Sequence, residues 1–280
     1  MKINIFGSTG IIGKKVLKII DHSSRKIDVN LLTANSNLKS ILSQIKKFKP
    51  KYVHLNNEKK LNELKKYIDK KTKILDKNDL SDYLSSSKSD FTILAISGYN
   101  SLNFFDEIVN NTKNLGIVSK EAIVSGGHLF KKNSYFKKTN IYPLDSEHFS
   151  LYTHLNLDEK NKENIKNILI TASGGPFYKY HHNNLKNITF EKAIKHPKWK
   201  MGYKNSIDSA TLVNKCLEVI EAHYLFNIPY EKINILIHPE AIVHSIIQYN
   251  NLISNMILFK NDMSIPIYNF LYKSQSNLYD

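Results

Sequence analysis

The sequence predicts an α/β chain in which a doubly wound parallel sheet is followed by a second, α+β domain. Three observations carry this expectation. Apolar, β-branched runs alternate with amphipathic stretches through the first half, which implies parallel strands joined by right-handed crossovers. The opening run Lys2–Phe6 leads straight into Gly7-Ser8-Thr9-Gly10-Ile11-Ile12-Gly13 and then a helical stretch. Beyond about Pro143 the alternation gives way to longer loops and clustered strand runs.

Taken in order, strands are expected at Lys2–Phe6, Asp28–Thr33, Lys51–His54, Lys73–Leu75, Phe91–Ala95, Gly116–Ser119 and Asn140–Pro143. Between them, 3.6-residue periodicity predicts helices over Gly13–Ile20, Leu38–Phe48, Glu58–Tyr67 and Leu102–Asn111. The second part holds a strand at Ile165–Thr171, a lysine- and histidine-bearing segment at Tyr178–Tyr203 and a long helix at Ser209–Phe226. Further strands are expected at Ile233–Ile237, Ile242–Tyr249 and Ile253–Phe259. The boundary falls near 143–150, dividing the chain into a first domain over 1–145 and a second over 146–280. Asn156–Lys166 reads as the most linker-like stretch.

Composition bounds the function. The 280 residues are 41% hydrophobic and 23% charged, within the globular range. No apolar run approaches the roughly 18 residues of a membrane span. One cysteine, Cys216, excludes an internal disulfide framework and fits a reducing compartment. With a strand beginning at residue 2, the cytoplasm is the expected location. The net charge is +15, yet of 40 basic residues only Arg25 is arginine. Scattered lysine lacks the bidentate geometry of base and phosphate recognition, so neither a nucleic-acid nor a membrane partner is expected.

The glycine turn sits between a strand and a helix, where backbone N–H groups and the helix dipole meet a pyrophosphate. The first domain is therefore expected to be Rossmann-like. The second strand ends in Thr33-Ala34-Asn35-Ser36-Asn37, with no acid to bind a free ribose 2′-hydroxyl. That favours NADP over NAD, although Ser36 or Asn37 could equally be an ordinary helix cap. Asp145-Ser146-Glu147 places two carboxylates at a strand exit, where they can meet one hard cation. In the helix over 209–226, Asn214, Lys215 and Glu218 share one face. The opposite face carries Leu212, Cys216, Val219, Ile220 and His223 and is expected to pack on the core. Asp208-Ser209 reads as the cap of that helix. Thr171-Ala172-Ser173-Gly174-Gly175-Pro176-Phe177 can form an anion nest, and His196–Tyr203, with the lone tryptophan Trp199, a mobile lid.

These pieces resemble the 1-deoxy-D-xylulose 5-phosphate reductoisomerase family. The likeness spans residues 2–267, through GSTGIIG at 7–13, SKEAIVSGGHLF at 119–130, PLDSEH at 143–148, TASGGPF at 171–177, the stretch 196–226, LIHPEAIVHSIIQY at 236–249 and DMSIPI at 262–267. The resemblance implies NADPH-dependent isomerisation and reduction of the sugar phosphate to 2-C-methyl-D-erythritol 4-phosphate, in non-mevalonate isoprenoid synthesis. A magnesium or manganese ion would be held by Asp145, Glu147 and Glu218. Substrate would contact Lys120, Ser146, Glu147, Ser173, His196, Ser209, Asn214, Lys215 and Glu218, with Lys120, Glu147, His196 and Glu218 at the chemistry. Trp199 and Met201 would cover substrate and nicotinamide. NADPH would lie on Thr9, Gly10, Ile11, Ile12, Asn35, Ser36, Asn37, Ser119, Glu121 and Gly202. A homodimer is implied.

The sequence also departs from the family pattern. Ser119 stands where asparagine is usual, Ile11 where serine is common, and Tyr203 where arginine is frequent; Gly98-Tyr99-Asn100-Ser101 replaces a turn rich in alanine and glycine. The family's carboxy-terminal helical domain is not represented in these 280 residues. That leaves a second reading, a non-catalytic nucleotide-binding remnant. A semialdehyde-type dehydrogenase is disfavoured, because its cysteine nucleophile would have to be Cys216, expected on the core side of a helix.

Overall fold

The computed structural model describes residues 1–69, 71–132, 138–195 and 203–272. They form two compact units. The first comprises Met1–Leu144 completed by the described residues 266–272, and the second is Asp145–Ile265.

The first unit is built on seven parallel strands: β1 (Lys2–Phe6), β2 (Asp28–Ala34), β3 (Tyr52–Leu55), β4 (Lys73–Ile74), β5 (Ser89–Leu94), β6 (Thr112–Ile117) and β7 (Asn140–Pro143). Their order is β4-β3-β2-β1-β5-β6-β7, so the chain winds outward from β1 in both directions, as the alternating pattern predicts. All seven expected strands are present. The crossovers carry α1 (Ile11–Asp21), α2 (Leu38–Phe48), α3 (Glu58–Leu64), α4 (Lys77–Ser86), α5 (Phe105–Asn111) and α6 (Lys120–Lys132). The central strands are mostly apolar, with Ile3, Ile5, Leu31, Leu32, Ile93 and Leu94 fully buried, because a sheet covered on both faces favours apolar side chains; the buried Asn4 is matched by hydrogen bonds from Asn30 and Tyr83.

The second unit has four strands, β8 (Ile165–Ala172), β9 (Ile233–Ile237), β10 (Val243–Tyr249) and β11 (Ser254–Leu258), in the order β11-β10-β8-β9. Only the β8–β9 pair is parallel. Helices α7 (Ser146–Leu157) and α10 (Val213–Phe226) bury Leu151, Leu155 and Ala222 against Ile168, Ile170, Ile233 and Ile247 of the sheet. Between them run α8 (Phe190–Ala193) and α9 (Tyr203–Ala210). The final helix, α11 (Ser264–Tyr272), returns to the first unit, where Phe270 meets Phe91 and Tyr142 edge-on at 5.2 and 5.3 Å.

Three local expectations change. The stretch expected as a linker, 156–166, instead comprises the end of α7, a 3₁₀ segment at Glu159–Asn164 and the start of β8. The helix expected from Ser209 to Phe226 is two helices, broken at Leu212, whose φ of 61° no helix can continue through. Ser209 thus lies in the last turn of α9 and does not cap a helix. Finally, the domain expected to run from 146 to the end closes near Ile265, because the aromatic residues of α11 complete the first core.

Candidate active site

In the first unit, the glycine turn follows β1 as expected. Gly7 adopts φ +82°, and a Cβ there would lie 2.4 Å from the Ala95 carbonyl oxygen. A Cβ on Gly13 would lie 2.4 Å from the oxygen of Gly7, so this glycine lets α1 pack against the turn. Gly10 is the N-cap of α1 with extended backbone and no side-chain cap. The first amides of the helix, at Ile11, Ile12 and Gly13, therefore have neither an intrahelical partner nor a side chain across them. This is a cradle for an anion, and it fits the pyrophosphate of a dinucleotide. Asn35, Ser36 and Asn37 are exposed at the end of β2, and Asn37 also caps α2, its Oδ1 accepting from the Ser40 N–H at 3.0 Å. Ser119 donates its hydroxyl to the Ile96 carbonyl, directly before Lys120 and Glu121 in the first turn of α6.

The second unit brings together residues separated by some seventy positions. Asp145 is the N-cap of α7 and accepts from the Glu147 N–H at 3.2 Å. This aims Asp145 and Glu147 to the same side as Glu218 of α10, and the three carboxylates lie within 4.8 Å of one another. Each is held by a neighbour. Ser146 Oγ donates to Glu147 at 2.5 Å, and Asn214 Nδ2 donates to Glu218 at 2.5 Å. Lys215 Nζ bridges Glu147 at 2.8 Å and Glu218 at 2.5 Å. Burial alone would lower the Lys215 pKa, but Glu147, Glu218 and Asp145 outweigh it and raise it.

The face carrying Lys215 and Glu218 is turned inward, while on the opposite face Val219 packs against the core as expected. Lys215 is 5% exposed and Glu218 1%, whereas Cys216, expected toward the core, is exposed. The buried charges are compensated within the site rather than by water. Cys216 is a free, exposed thiol.

Sequence reasoning gave no role to His148, Glu221 or His244. His148 Nδ1 lies 3.0 Å from Asp145 and 3.4 Å from Glu221, while Nε2 lies 2.8 Å from the Glu218 carbonyl oxygen. Every partner is an acceptor, so both ring nitrogens donate and the ring is an imidazolium. Burial pulls its pKa down, but Glu221, Asp145 and Glu218 push it up to about 9. His244, stacked on Phe259 at 3.9 Å, has a pKa lowered mainly by burial. The PLDSEH stretch contained His148, but its link to α10 exists only in three dimensions.

The turn after β8 holds Ser173, whose hydroxyl accepts from the Gly175 N–H at 3.3 Å. Gly174 and Gly175 have φ of +85° and +71°, and a Cβ on Gly175 would meet the Ser209 carbonyl at 2.8 Å. The glycine turn that follows Ser173 therefore packs directly on the α9 backbone at Ser209 and Ala210. His196, Trp199, Met201 and Gly202 lie outside the described residues.

Residues 3–127 match 1-deoxy-D-xylulose 5-phosphate reductoisomerase, and residues 141–226 match the 1-deoxy-D-xylulose 5-phosphate reductoisomerase C-terminal domain. A curated 1-deoxy-D-xylulose 5-phosphate reductoisomerase from Pelagibacter ubique is 40% identical over 97% of this chain and 70% of its own length. The chain belongs to the 1-deoxy-D-xylulose 5-phosphate reductoisomerase family. A further member, from Wolbachia pipientis wMel, is 38% identical over 95% of this chain and 68% of its own. A crystal structure of DOX-P reductoisomerase in complex with NADPH, fosmidomycin and magnesium matches with a TM-score of 0.90 and 30% identity, covering 98% of this chain and 70% of that one. The Zymomonas mobilis enzyme in complex with NADPH matches at a TM-score of 0.86 and 32% identity, over 96% and 70%.

Proposed function

We propose that this reductoisomerase family member is an NADPH- and divalent-metal-dependent enzyme that isomerises and reduces 1-deoxy-D-xylulose 5-phosphate to 2-C-methyl-D-erythritol 4-phosphate, a step of non-mevalonate isoprenoid synthesis. The observation that carries the reading is the cluster of Asp145, Glu147 and Glu218. Three convergent carboxylate oxygens suit magnesium or manganese, and a solved relative is described with NADPH and magnesium. Such an ion supplies Lewis-acid polarisation of the substrate's carbonyl.

The remaining work belongs to side chains. His148, Asn214 and Ser146 orient the three carboxylates through the hydrogen bonds above. Lys215 serves as their counter-ion and as a point charge for the substrate phosphate, with Ser173, Ser209 and Asn214 as neutral donors. The family resemblance would assign Lys120 and His196 to the reacting carbons. The turn Thr9-Gly10-Ile11-Ile12 takes the pyrophosphate, and Asn35, Ser36 and Asn37 the 2′-phosphate. By the same resemblance, Ser119, Glu121 and Gly202 would complete the cofactor contacts. The exposed lone Cys216 is compatible with a reducing, cytoplasmic setting.

The decisive experiment follows NADPH oxidation on addition of the sugar phosphate. Turnover should require Mg²⁺ or Mn²⁺, stop on chelation and be lost in Glu218→Gln. Undiminished turnover in chelator would end the metal assignment.

A homodimer forms part of the proposal. On the face of the second sheet opposite α7 and α10, the register sets Ile246 beside Leu169 and Met256. Leu236 and Met256 are 40% and 46% exposed there, an apolar surface suited to a second copy. Sedimentation should show a dimer that Met256→Glu weakens; a monomer at all concentrations would refute it.

A further inference from the structure

We propose that Gln44 is a positioning residue for the dinucleotide: it fixes the pyrophosphate turn through Ser8 and couples that turn, along α2, to the loop at 35–37. The inference rests on the nucleotide reading above and assigns a role to a residue outside the expected contacts.

Gln44 is a polar side chain on the buried face of α2, 7% exposed, and it meets Ser8, which is fully buried. The contact is reciprocal. Gln44 Nε2 donates to the Ser8 carbonyl at 2.9 Å, and Ser8 Oγ donates to Gln44 Oε1 at 2.8 Å. A carboxamide donates and accepts side by side, so both halves of the amide are satisfied by one residue of the turn. Burying an amide is favourable only when such bonds are made. Packing alone would be served by an apolar residue, as Ile41 serves on the same helix, fully buried. From the other side, the N–H groups of Gly7 and Ser8 donate to the Thr33 carbonyl at 3.1 and 2.8 Å. The turn is therefore gripped by β2 and by α2 together.

The opposite end of α2 begins at Asn37, the cap that closes the 35–37 loop. Gln44 lies seven residues further on, about two turns, and so on the same side of the helix. A single rigid helix thus ties the two cofactor-facing segments, one by its cap and one by Gln44. The spacing between the pyrophosphate and 2′-phosphate contacts is set by this amide.

The test measures NADPH dissociation constants by calorimetry for the wild-type chain, Gln44→Met, Ser8→Ala and the double variant, with the melting temperature of each. Gln44→Met should weaken NADPH about tenfold and Ser8→Ala about threefold. The double variant should be no weaker than Gln44→Met by more than about twofold, since both remove one contact. In turnover, the KM for NADPH should rise while kcat stays within about twofold. An unchanged NADPH affinity in Gln44→Met, whatever its melting temperature, overturns the inference and leaves a structural contact only. Should Gln44→Met not fold, unchanged affinity in Ser8→Ala overturns it equally. A wild-type chain that fails to bind NADPH refutes the nucleotide reading itself, a separate result from wild-type binding with unaffected variants.

Discussion

Lys215 and Glu218 sit three residues apart on α10 and are both buried, with Glu147 completing the ion cluster. Removing one member of a buried, hydrogen-bonded charge cluster leaves the others uncompensated, at a cost of about 3–5 kcal/mol. Lys215→Met should therefore be destabilised by about that much, and added Mg²⁺ or Mn²⁺ should restore part of its melting temperature by binding the freed carboxylates. A Lys215→Met chain whose melting temperature ignores both ions would argue against the carboxylates acting as ligands. Elsewhere, His54 of β3 is buried and bonded to the Leu75 carbonyl at 3.0 Å. Burial, the leading cause, lowers its pKa. The unfolded chain then binds more protons than the folded one below the ordinary histidine value of about 6.5. The stability that His54 contributes is present above that pH and is lost as pH falls through the lowered folded value. Urea unfolding at a series of pH values should show a shallower acid loss in His54→Phe, and NMR titration should place the His54 inflection below 6.5. At this scale the sequence was legible through motif resemblance more than through periodicity. Asp145, Glu147 and Glu218 were nameable from PLDSEH and the 196–226 stretch. The inward turn of α10 was not, because pairing between Glu147 and Lys215 links positions 68 apart.

Among the elements, the turn between β1 and α1 is the most constrained. Gly13→Ala would force a Cβ to 2.5 Å from the Ser8 Cα and 2.4 Å from the Gly7 oxygen, all backbone atoms that cannot swing aside. The strain expected is about 1–3 kcal/mol, together with weaker NADPH binding, measurable by denaturation and calorimetry. The parallel strands were readable because burial on both faces leaves continuous apolar runs bounded by turn residues. Helix α7 was not. Its buried positions mix Leu151 and Leu155 with Ser146, His148, Ser150 and His154, and two of these polar residues find partners far along the chain: Ser150 bonds Ser245 at 2.7 Å, and His154 bonds Tyr249 at 3.0 Å. A helix anchored in part by hydrogen bonds presents a broken apolar stripe. The break at Leu212 was equally hidden, since leucine is a good helix former and the positive φ is imposed by its surroundings.

Over the whole molecule, the chain order and the order of assembly differ. Residues 266–272 belong to the unit that begins at Met1, with all of Asp145–Ile265 between. Phe270 is 2% exposed against Phe91 and Tyr142, and Tyr272 bonds Ser23 at 2.5 Å while the Arg25 guanidinium lies 4.7 Å above its ring. Phe270→Ala should cost about 3–5 kcal/mol. Hydrogen exchange should quicken in β5, β6 and β7, with the carboxylate site of the second unit unaffected; uniform quickening would count against α11 acting locally. The doubly wound sheet could be anticipated from alternation, but this return could not, since nothing in α11 states which core it serves. On the ribosome that connectivity becomes a delay. At 5–20 residues per second the intervening segment takes roughly six to twenty-four seconds to make. Through that interval the seven-stranded sheet waits with the surface for Phe270 uncovered, a time window in which a chaperone would find it and a nascent-chain protease would too.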